Sequence, residues 1–312
     1  MARPGSCPAG GDRLMRPADL NRRWFLAGLA ALGAGGAVSG LVGRAAFAAD
    51  AAASDRFVTI GAAVTETVWA LGAGDRIVAV DTTSQSPAEV MKLPKVGYMR
   101  TLAAEGLIAT GATRVIADDG AGPASTLDQV RAAGIDVRMI HSATRIDEVE
   151  AAIMAVGKAV GLEGPAAELG RTVTAELASL AAAAETRAHH PSVMCVIGIG
   201  NSGLMAAGRD TAAAAVIRLA GGRNAFDEVA DYAPVSAEAA AAAAPEVLMM
   251  PEHAIARMGG REAILNLPQL RLTPAALAGR LLAIDGRALA GLGPSTARIA
   301  TGFAAGLDRA GV

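Results

Sequence analysis

The stretch FVTIGAAVTETVWALGAGDRIVAV, residues 57–80, changes from one hydrophobic pattern to another and back again. Residues 57–61 are a short apolar run typical of a buried strand, residues 64–71 have helical spacing, and residues 77–80 are a second strand-like run. A strand, a helix and a strand in this order indicate a parallel β-α-β unit. This stretch therefore favours an α/β fold with parallel sheets.

The same alternation continues through the rest of the chain. The other predicted elements are strands at residues 115–117, 137–140, 193–199, 247–250 and 281–284, and helices at residues 127–133, 211–220 and 295–310. Strands and helices thus alternate on both sides of residue 160, which places the whole chain in the α/β class.

Two long helices are predicted between the halves. Residues 146–160 have helical spacing, Gly161 and Gly164 interrupt the pattern, and Pro165 suits a first helical turn. A second helix of about 24 residues follows and would be about 36 Å long, enough to bridge two lobes. We therefore expect a first lobe at residues 49–160, a connecting helix at 161–190 and a second lobe at 191–312.

A repeated phrase supports two related lobes. TLAAEGLIATGATRVIAD in the first half and PVSAEAAAAAAPEVLMM in the second each place a glutamate, Glu105 or Glu238, near the start of a short helix before an apolar strand. This match indicates an internal duplication, although Ala-rich helices also resemble one another by chance.

The first 48 residues are predicted to be an export signal. Arg22 and Arg23 precede an apolar, Gly/Ala-rich run at residues 26–42, and Ala46-Phe47-Ala48 offers a signal-peptidase site. The paired arginines favour twin-arginine export to the periplasm with cleavage near Ala48. An ordinary secretory signal and an uncleaved membrane anchor are the alternatives.

Composition excludes two classes of protein. The predicted signal holds six arginines and two acidic residues, so the remaining chain has 22 basic and 28 acidic residues. Such a chain has no basic surface with which to bind nucleic acid. Cys7 lies in the signal, so Cys195 stands alone and an internal disulfide is excluded.

Several stretches resemble the haemin-binding members of the periplasmic binding proteins that serve haem, siderophore and cobalamin importers. The matching stretches are RFVTIGAAVTETVWALGAGDRIVAVDTTSQSPAEVMKLPKVGYMRTLAAEGLIA, LMAAGRDTAAAAVIRLAGGRNAF, YAPVSAEAAAAAAPEVLMM and LPQLRLTPAALAGRLLAIDG, which together extend over most of residues 56–312. The resemblance implies two Rossmann-like lobes joined by a single long rigid helix, with the ligand held between them. It also implies that the chain is a transport protein, not an enzyme, and that it captures ferric haem b for an ABC importer permease, with an outer-membrane haem receptor system as a further partner.

The resemblance implies that Tyr98, in LPKVGYMR, is the axial ligand of the haem iron. Pro94 and Gly97 predict a loop that would present the ring, and a phenolate is a hard oxygen donor suited to ferric iron. Arg100 would point to the same side along an extended segment and stabilise the phenolate. The alternatives are a packed loop tyrosine and a solvated arginine.

In the second lobe, Arg257 and His253 follow a predicted strand in PEHAIARMGG and are expected in a cleft-side loop. Tyr232 is a third candidate at the cleft rim. The stretch IGIGNSGLMAAG has no histidine where some relatives bind a second haem, so one haem is expected. Glu105 and Glu238 match positions at which family members dock on permease arginines; a solvated glutamate at a helix start is the alternative.

Other functions remain open at this stage. The segment from Gly198 to Gly203 matches the dinucleotide motif GxGxxG, but no helix start follows it, so this match is weak. A ferric-siderophore or corrinoid binder would use the same fold, and a haem-handling enzyme would also use a tyrosine ligand.

Overall fold

The computed structural model describes residues 55–200 and 203–312, so the predicted export signal lies outside the described residues. Residues Ala49–Val312 form one compact unit. No helix in the described part of the chain is both long and apolar enough to cross a membrane.

The first lobe contains a four-stranded parallel sheet in the order β2-β1-β3-β4. Its strands are β1 (Phe57–Ile60), β2 (Ile77–Val80), β3 (Arg114–Asp118) and β4 (Asp136–Ile140). The helices between and after them are α1 (Ala62–Ala70), α2 (Ala104–Ile108), α3 (Ala124–Ala132) and α4 (Ile146–Val160). β1 is buried along its whole length because helices cover both faces of the sheet.

The second lobe contains a six-stranded sheet in the order β10-β9-β5-β6-β8, with β7 also paired to β5. Its strands are β5 (Ser192–Gly200), β6 (Gly203–Ala207), β7 (Arg223–Asn224), β8 (Tyr232–Pro234), β9 (Val247–Pro251) and β10 (Leu281–Ile284). The predicted parallel pairing is present between β5, β7, β9 and β10, and an unpredicted addition is β6, which runs antiparallel to both β5 and β8. Gly198, Gly200 and Gly203, the three glycines of the GxGxxG match, lie in the paired strands β5 and β6, and no helix begins at Gly203.

The helices of the second lobe lie between and after these strands. They are α6 (Ala212–Leu219), α7 (Ala237–Ala243), α8 (Glu252–Arg257), α9 (Gly260–Leu265), α10 (Pro274–Leu277) and α11 (Thr296–Arg309). With α5 (Glu163–Glu185), which joins the lobes, they complete the set of described α-helices.

The duplication is visible in the strand order. Leaving out the β6–β8 hairpin, the second sheet has the order β7-β5-β9-β10, which repeats β2-β1-β3-β4 strand for strand. In each lobe a short helix, α2 or α7, leads into the strand next to the central one. The two Rossmann-like lobes are thus confirmed, and Glu105 and Glu238 begin equivalent helices.

The connecting helix α5 has 23 residues, one fewer than predicted. It packs along α4 of the first lobe and against α6 and α11 of the second. Gly161 ends α4 in a left-handed conformation with φ of 73°, which turns the chain directly into α5. One hydrophobic core runs through these four helices from Phe57 to Leu307, so both lobes pack on the same rigid support.

The close approach of α4 and α5 gives a test of this support. A Cβ at Gly157 would lie 2.2 Å from the Cβ of Ala166, so Gly157→Ala forces the helices apart. We expect the free energy of unfolding to fall by about 1–3 kcal/mol in urea denaturation. Gly164→Ala is the matched control, because nothing lies within 4 Å of its added Cβ. That variant should be neutral or more stable by up to about 1 kcal/mol, as expected for Gly→Ala in a helix; equal effects of the two substitutions would contradict the packing argument.

Candidate functional site

Loops that follow the carboxyl ends of the parallel strands in both sheets supply the candidate site. In the first lobe they are residues 81–103 after β2, 119–123 after β3 and 141–145 after β4. In the second lobe they are the residues after β9 and the segment 285–295 after β10. In open α/β sheets this edge is where ligands bind.

Tyr98 is presented by the loop after β2. The chain returns beside the end of that strand, where the Val96 N–H donates to Val80 O at 2.9 Å and the Thr82 N–H donates to Gly97 O at 2.9 Å. Gly97 has φ of +106°, a conformation open to glycine and costly for other residues. The Tyr98 side chain is 47% exposed, so the phenol is offered outward from a pinned backbone and is not packed into the core.

The expectation that Tyr98 and Arg100 lie on one extended segment is wrong. The Thr101 N–H donates to Tyr98 O at 2.9 Å, which closes a turn with Met99 and Arg100 at its corner. Met99 is 6% exposed and its carbonyl accepts from the Gly122 N–H at 2.8 Å, which pins the turn to the loop after β3. The buried Met99 side chain fixes the turn and leaves Arg100 exposed.

Arg100 lies above the end of β3. A Cβ at Gly120 would lie 3.7 Å from Arg100 Nη2 and 3.1 Å from Asp118 Oδ1, which places the guanidinium close to a buried carboxylate. Burial raises the pKa of Asp118, while the hydrogen bond from the Gly120 N–H at 2.8 Å and the charge of Arg100 act against this rise. The Arg100 charge is therefore held near the carboxyl end of β3.

Tyr232 brings the second lobe to the same place. It begins β8, and its hydroxyl donates to Leu289 O at 3.0 Å. Burial raises the pKa of the Tyr232 phenol. The charge of Arg100 acts to lower this pKa, and the Tyr98 phenol acts to raise it further. Arg100 and Tyr98 of the first lobe thus act electrostatically on a tyrosine of the second lobe. The neutral, hydrogen-bonded Tyr232 phenol is a poorer anionic ligand than the free phenol of Tyr98.

His253 and Arg257 do not lie in a loop, contrary to expectation. Pro251 ends β9 and serves as the N-cap of α8, which carries His253 in its first turn and Arg257 at its end. The His253 ring covers Gly286, where a Cβ would lie 2.9 Å from Cε1. Arg257 is exposed and makes no hydrogen bond or salt bridge to another residue of the described chain. Neither side chain is joined by a hydrogen bond to the Tyr98 turn within residues 55–200 and 203–312.

Glu105 and Glu238 are both exposed residues in the first turn of their helices. Hydrogen bonds from its own backbone N–H and from the Ser236 hydroxyl hold the pKa of Glu238 below its ordinary value. Each lobe therefore presents one carboxylate from an equivalent short helix.

Sequence reasoning missed a buried connection between the lobes. Glu66 on α1 accepts hydrogen bonds from Arg287 at 2.8 Å and from Ser295 at 2.6 Å, and both partners belong to the second lobe. Buried Thr65 and Thr67 flank Glu66 in α1. Such a run of buried polar residues in a helix is the one local sequence signal of a polar contact between the lobes.

Other reactive side chains among residues 55–200 and 203–312 do not form a second metal centre. No group of three or more His, Cys, Asp or Glu side chains in the described part of the chain is arranged to hold a metal ion. Cys195 is fully buried, and burial raises its thiol pKa to about 12, so it stays protonated at neutral pH.

Two solved structures with the same architecture are of haem-binding proteins. The periplasmic haem-binding protein RhuT of Roseiflexus sp. RS-1, in its apo form, is 33% identical; the match covers 83% of this chain and 100% of that protein with a TM-score of 0.78. The periplasmic haem-binding protein BhuT, in complex with two haems, is 35% identical over 82% of this chain and 98% of that protein, with a TM-score of 0.74.

Curated sequences match over shorter stretches. The vitamin B12-binding protein of Yersinia pestis (strain Pestoides F) is 31% identical over 99 residues, which are 32% of this chain and 35% of that protein. The chain aligns with about two fifths or less of the length of the curated relatives it matches. The family model described as periplasmic binding protein matches residues 58–288, close to three quarters of the chain. The chain therefore belongs to the periplasmic binding protein family.

Proposed function

We propose that this chain captures ferric haem in the cleft between its lobes and delivers it to an ABC importer. The observation that carries the proposal is the half-exposed Tyr98 phenol, which follows Gly97 with its positive φ and shares a turn with Arg100. The haem-binding function of RhuT and BhuT, which match more than four fifths of the chain, supports it.

The side chains at the cleft fit ferric haem. A phenolate is a hard anionic oxygen, and tyrosine is an established haem ligand. A free tyrosine has a pKa of about 10, so ferric iron and a nearby cation are needed to favour the anion at neutral pH. Arg100 supplies that cation from the same turn, and Tyr232 offers an aromatic ring from the opposite lobe.

The porphyrin also needs apolar surface. Ile199, near the carboxyl end of β5, is 63% exposed, which is unusual for so apolar a side chain in a sheet. We infer that it contacts the porphyrin face, with His253 and Arg257 on α8 as contacts to the porphyrin or its propionates. The absence of histidine from residues 198–208 supports one haem per protein, in contrast to the two-haem complex of BhuT.

The remaining parts of the proposal concern transport. Residues 1–48 act as a twin-arginine signal that is removed in the periplasm, leaving lobes at 49–160 and 191–312 joined through 161–190. An outer-membrane haem receptor system supplies haem b, and Glu105 and Glu238 dock on the permease. Their equivalent positions in the two lobes support a two-point contact.

A corrinoid ligand is the second candidate, and the match to the vitamin B12-binding protein favours it. An absorption titration of the protein with haemin, cyanocobalamin and a ferric hydroxamate siderophore in parallel decides between them. We expect saturation at one haemin per protein with a high-spin ferric tyrosinate spectrum, and no saturable binding of the other two. Tight binding of cyanocobalamin or the siderophore without haemin binding would reject the haem proposal, and turnover of haemin with peroxide would point to an enzyme.

A further inference from the structure

Glu66 is a carboxylate buried between the two lobes. It lies on α1 with 8% of its surface exposed. Its two oxygens accept hydrogen bonds from Arg287 Nη1 at 2.8 Å and from Ser295 Oγ at 2.6 Å. A buried charge is strongly unfavourable unless it is paired and hydrogen-bonded, and here both partners come from the opposite lobe. Separating the lobes would therefore leave Glu66 without its cation.

Residues 285–295, here called the strap, carry these partners and further ties to the first lobe. The Leu292 N–H donates to Ala143 O at 2.7 Å, and Ser142 Oγ donates to Ala290 O at 3.1 Å. Gly291 has φ of +137°, and a Cβ there would lie 2.6 Å from Ser142 Oγ. The strap thus lies directly against the first lobe at both α1 and the loop after β4.

The strap also holds Tyr232. Leu289 O accepts the hydrogen bond from the Tyr232 hydroxyl at 3.0 Å. One continuous set of contacts therefore runs from Glu66 in the first lobe, through the strap, to Tyr232 at the start of β8.

We propose that Glu66 is a positioning residue that, acting through Arg287 and the strap, sets the separation between Tyr98 and Tyr232 across the cleft. A cleft of fixed width favours a flat ligand and slows its release, because the walls need not be ordered when the ligand binds. The role in ligand retention rests on the proposed function, whereas the fixed width does not.

Arg287 has a second partner that keeps the second lobe intact when Glu66 is removed. The Asp285 carboxylate accepts hydrogen bonds from Arg287 Nε at 2.9 Å and from Arg287 Nη2. Burial alone would raise the pKa of Asp285, but these hydrogen bonds outweigh burial and hold the pKa below its ordinary value. Loss of Glu66 therefore leaves the arginine paired within its own lobe, and the expected result is a looser contact between lobes, not unfolding.

The interlobe distance tests the fixed width without any ligand. Spin labels on Gln129→Cys and Glu262→Cys, both exposed positions, report this distance in a Cys7→Ser background, where buried Cys195 does not react. Pulsed electron paramagnetic resonance should give one narrow distribution for the otherwise unaltered protein. Glu66→Ala should broaden it and shift it to longer distances, with Glu66→Gln in between.

Asp308→Asn is the control, because it breaks the salt bridge from Arg187 Nη2 at 2.7 Å, away from the strap. It should leave the distance distribution unchanged. An unchanged distribution in Glu66→Ala would overturn the proposal, and Glu66→Gln with Ser295→Ala provides the same test should Glu66→Ala fail to fold.

The haemin dissociation rate then tests ligand retention. We expect Glu66→Ala to release haemin about fivefold faster or more, with the ferric tyrosinate spectrum unaltered, since changes in affinity within one site arise mostly in dissociation. An unaltered rate alongside an altered distance would reject the role in retention. If the unaltered protein binds no haemin, the proposed function fails, while the distance measurement still decides whether Glu66 sets the width.

Discussion

Replacing Tyr98 with alanine is expected to lower the affinity for haemin by about 100-fold or more. Mutation of a residue that hydrogen-bonds to a metal ligand lowers the affinity for the metal by roughly 10–100-fold. Loss of the ligand itself should lower the affinity for haemin at least as much. The ferric tyrosinate bands should disappear from the absorption spectrum, while the far-ultraviolet circular dichroism stays unaltered because Tyr98 is half exposed and fixes no core contact.

Two further variants distinguish the contribution of the Tyr98 phenol oxygen from that of the ring and from that of Tyr232. Tyr98→Phe keeps the ring and removes the donor, so it should lose the tyrosinate bands as fully as Tyr98→Ala. Tyr232→Phe removes the hydroxyl that donates to Leu289 O and should leave those bands in place. Loss of the bands in Tyr232→Phe but not in Tyr98→Phe would show that Tyr232 is the iron ligand, and this would contradict our assignment of Tyr98.

Replacing Glu105 and Glu238 together with alanine is expected to reduce haem uptake through the importer by about tenfold or more, with haemin affinity unaltered. Exposed charges at an interface govern orientation and association rate, and each lobe offers one such charge to the permease. The measurement is uptake by cells that depend on haem as iron source, alongside a haemin titration of the purified double variant.

A matched control removes the same charge elsewhere. Glu176 on α5 and Glu262 on α9 are equally exposed, so Glu176→Ala with Glu262→Ala alters the net charge by the same amount. Uptake should remain normal in this control. Equal loss of uptake in the two double variants would point to a general charge effect, and normal uptake in Glu105→Ala with Glu238→Ala would reject docking at these residues.

Much of the architecture could be predicted because single elements carry strong local signals. The bounds Ile146–Val160, Ile77–Val80 and Leu281–Ile284 agree with the predicted elements, since apolar periodicity and flanking glycines mark their ends. Strands β6 and β8 were missed because five and three residues in a Gly/Ala-rich stretch show no alternation. Their antiparallel pairing depends on contacts formed only in the folded lobe.

The site was predicted less completely. The resemblance to haemin-binding proteins pointed to Tyr98, but the neighbouring turn depends on Met99 packing inward, which spacing alone does not show. The segment after the strand at residues 247–250 was expected to be a loop, whereas Pro251 caps a helix that carries His253 and Arg257. The polar run around Glu66 does not identify its partner, because Arg287 lies 221 positions away in the chain.

The position of iron in crystals of the haemin complex, located by anomalous scattering, tests the central claim most directly. The account predicts one iron atom between the lobes, bonded to the phenol oxygen of Tyr98 with Arg100 beside it. Iron bound elsewhere, or a Tyr98 side chain turned into the protein with haem held by other residues, would contradict it.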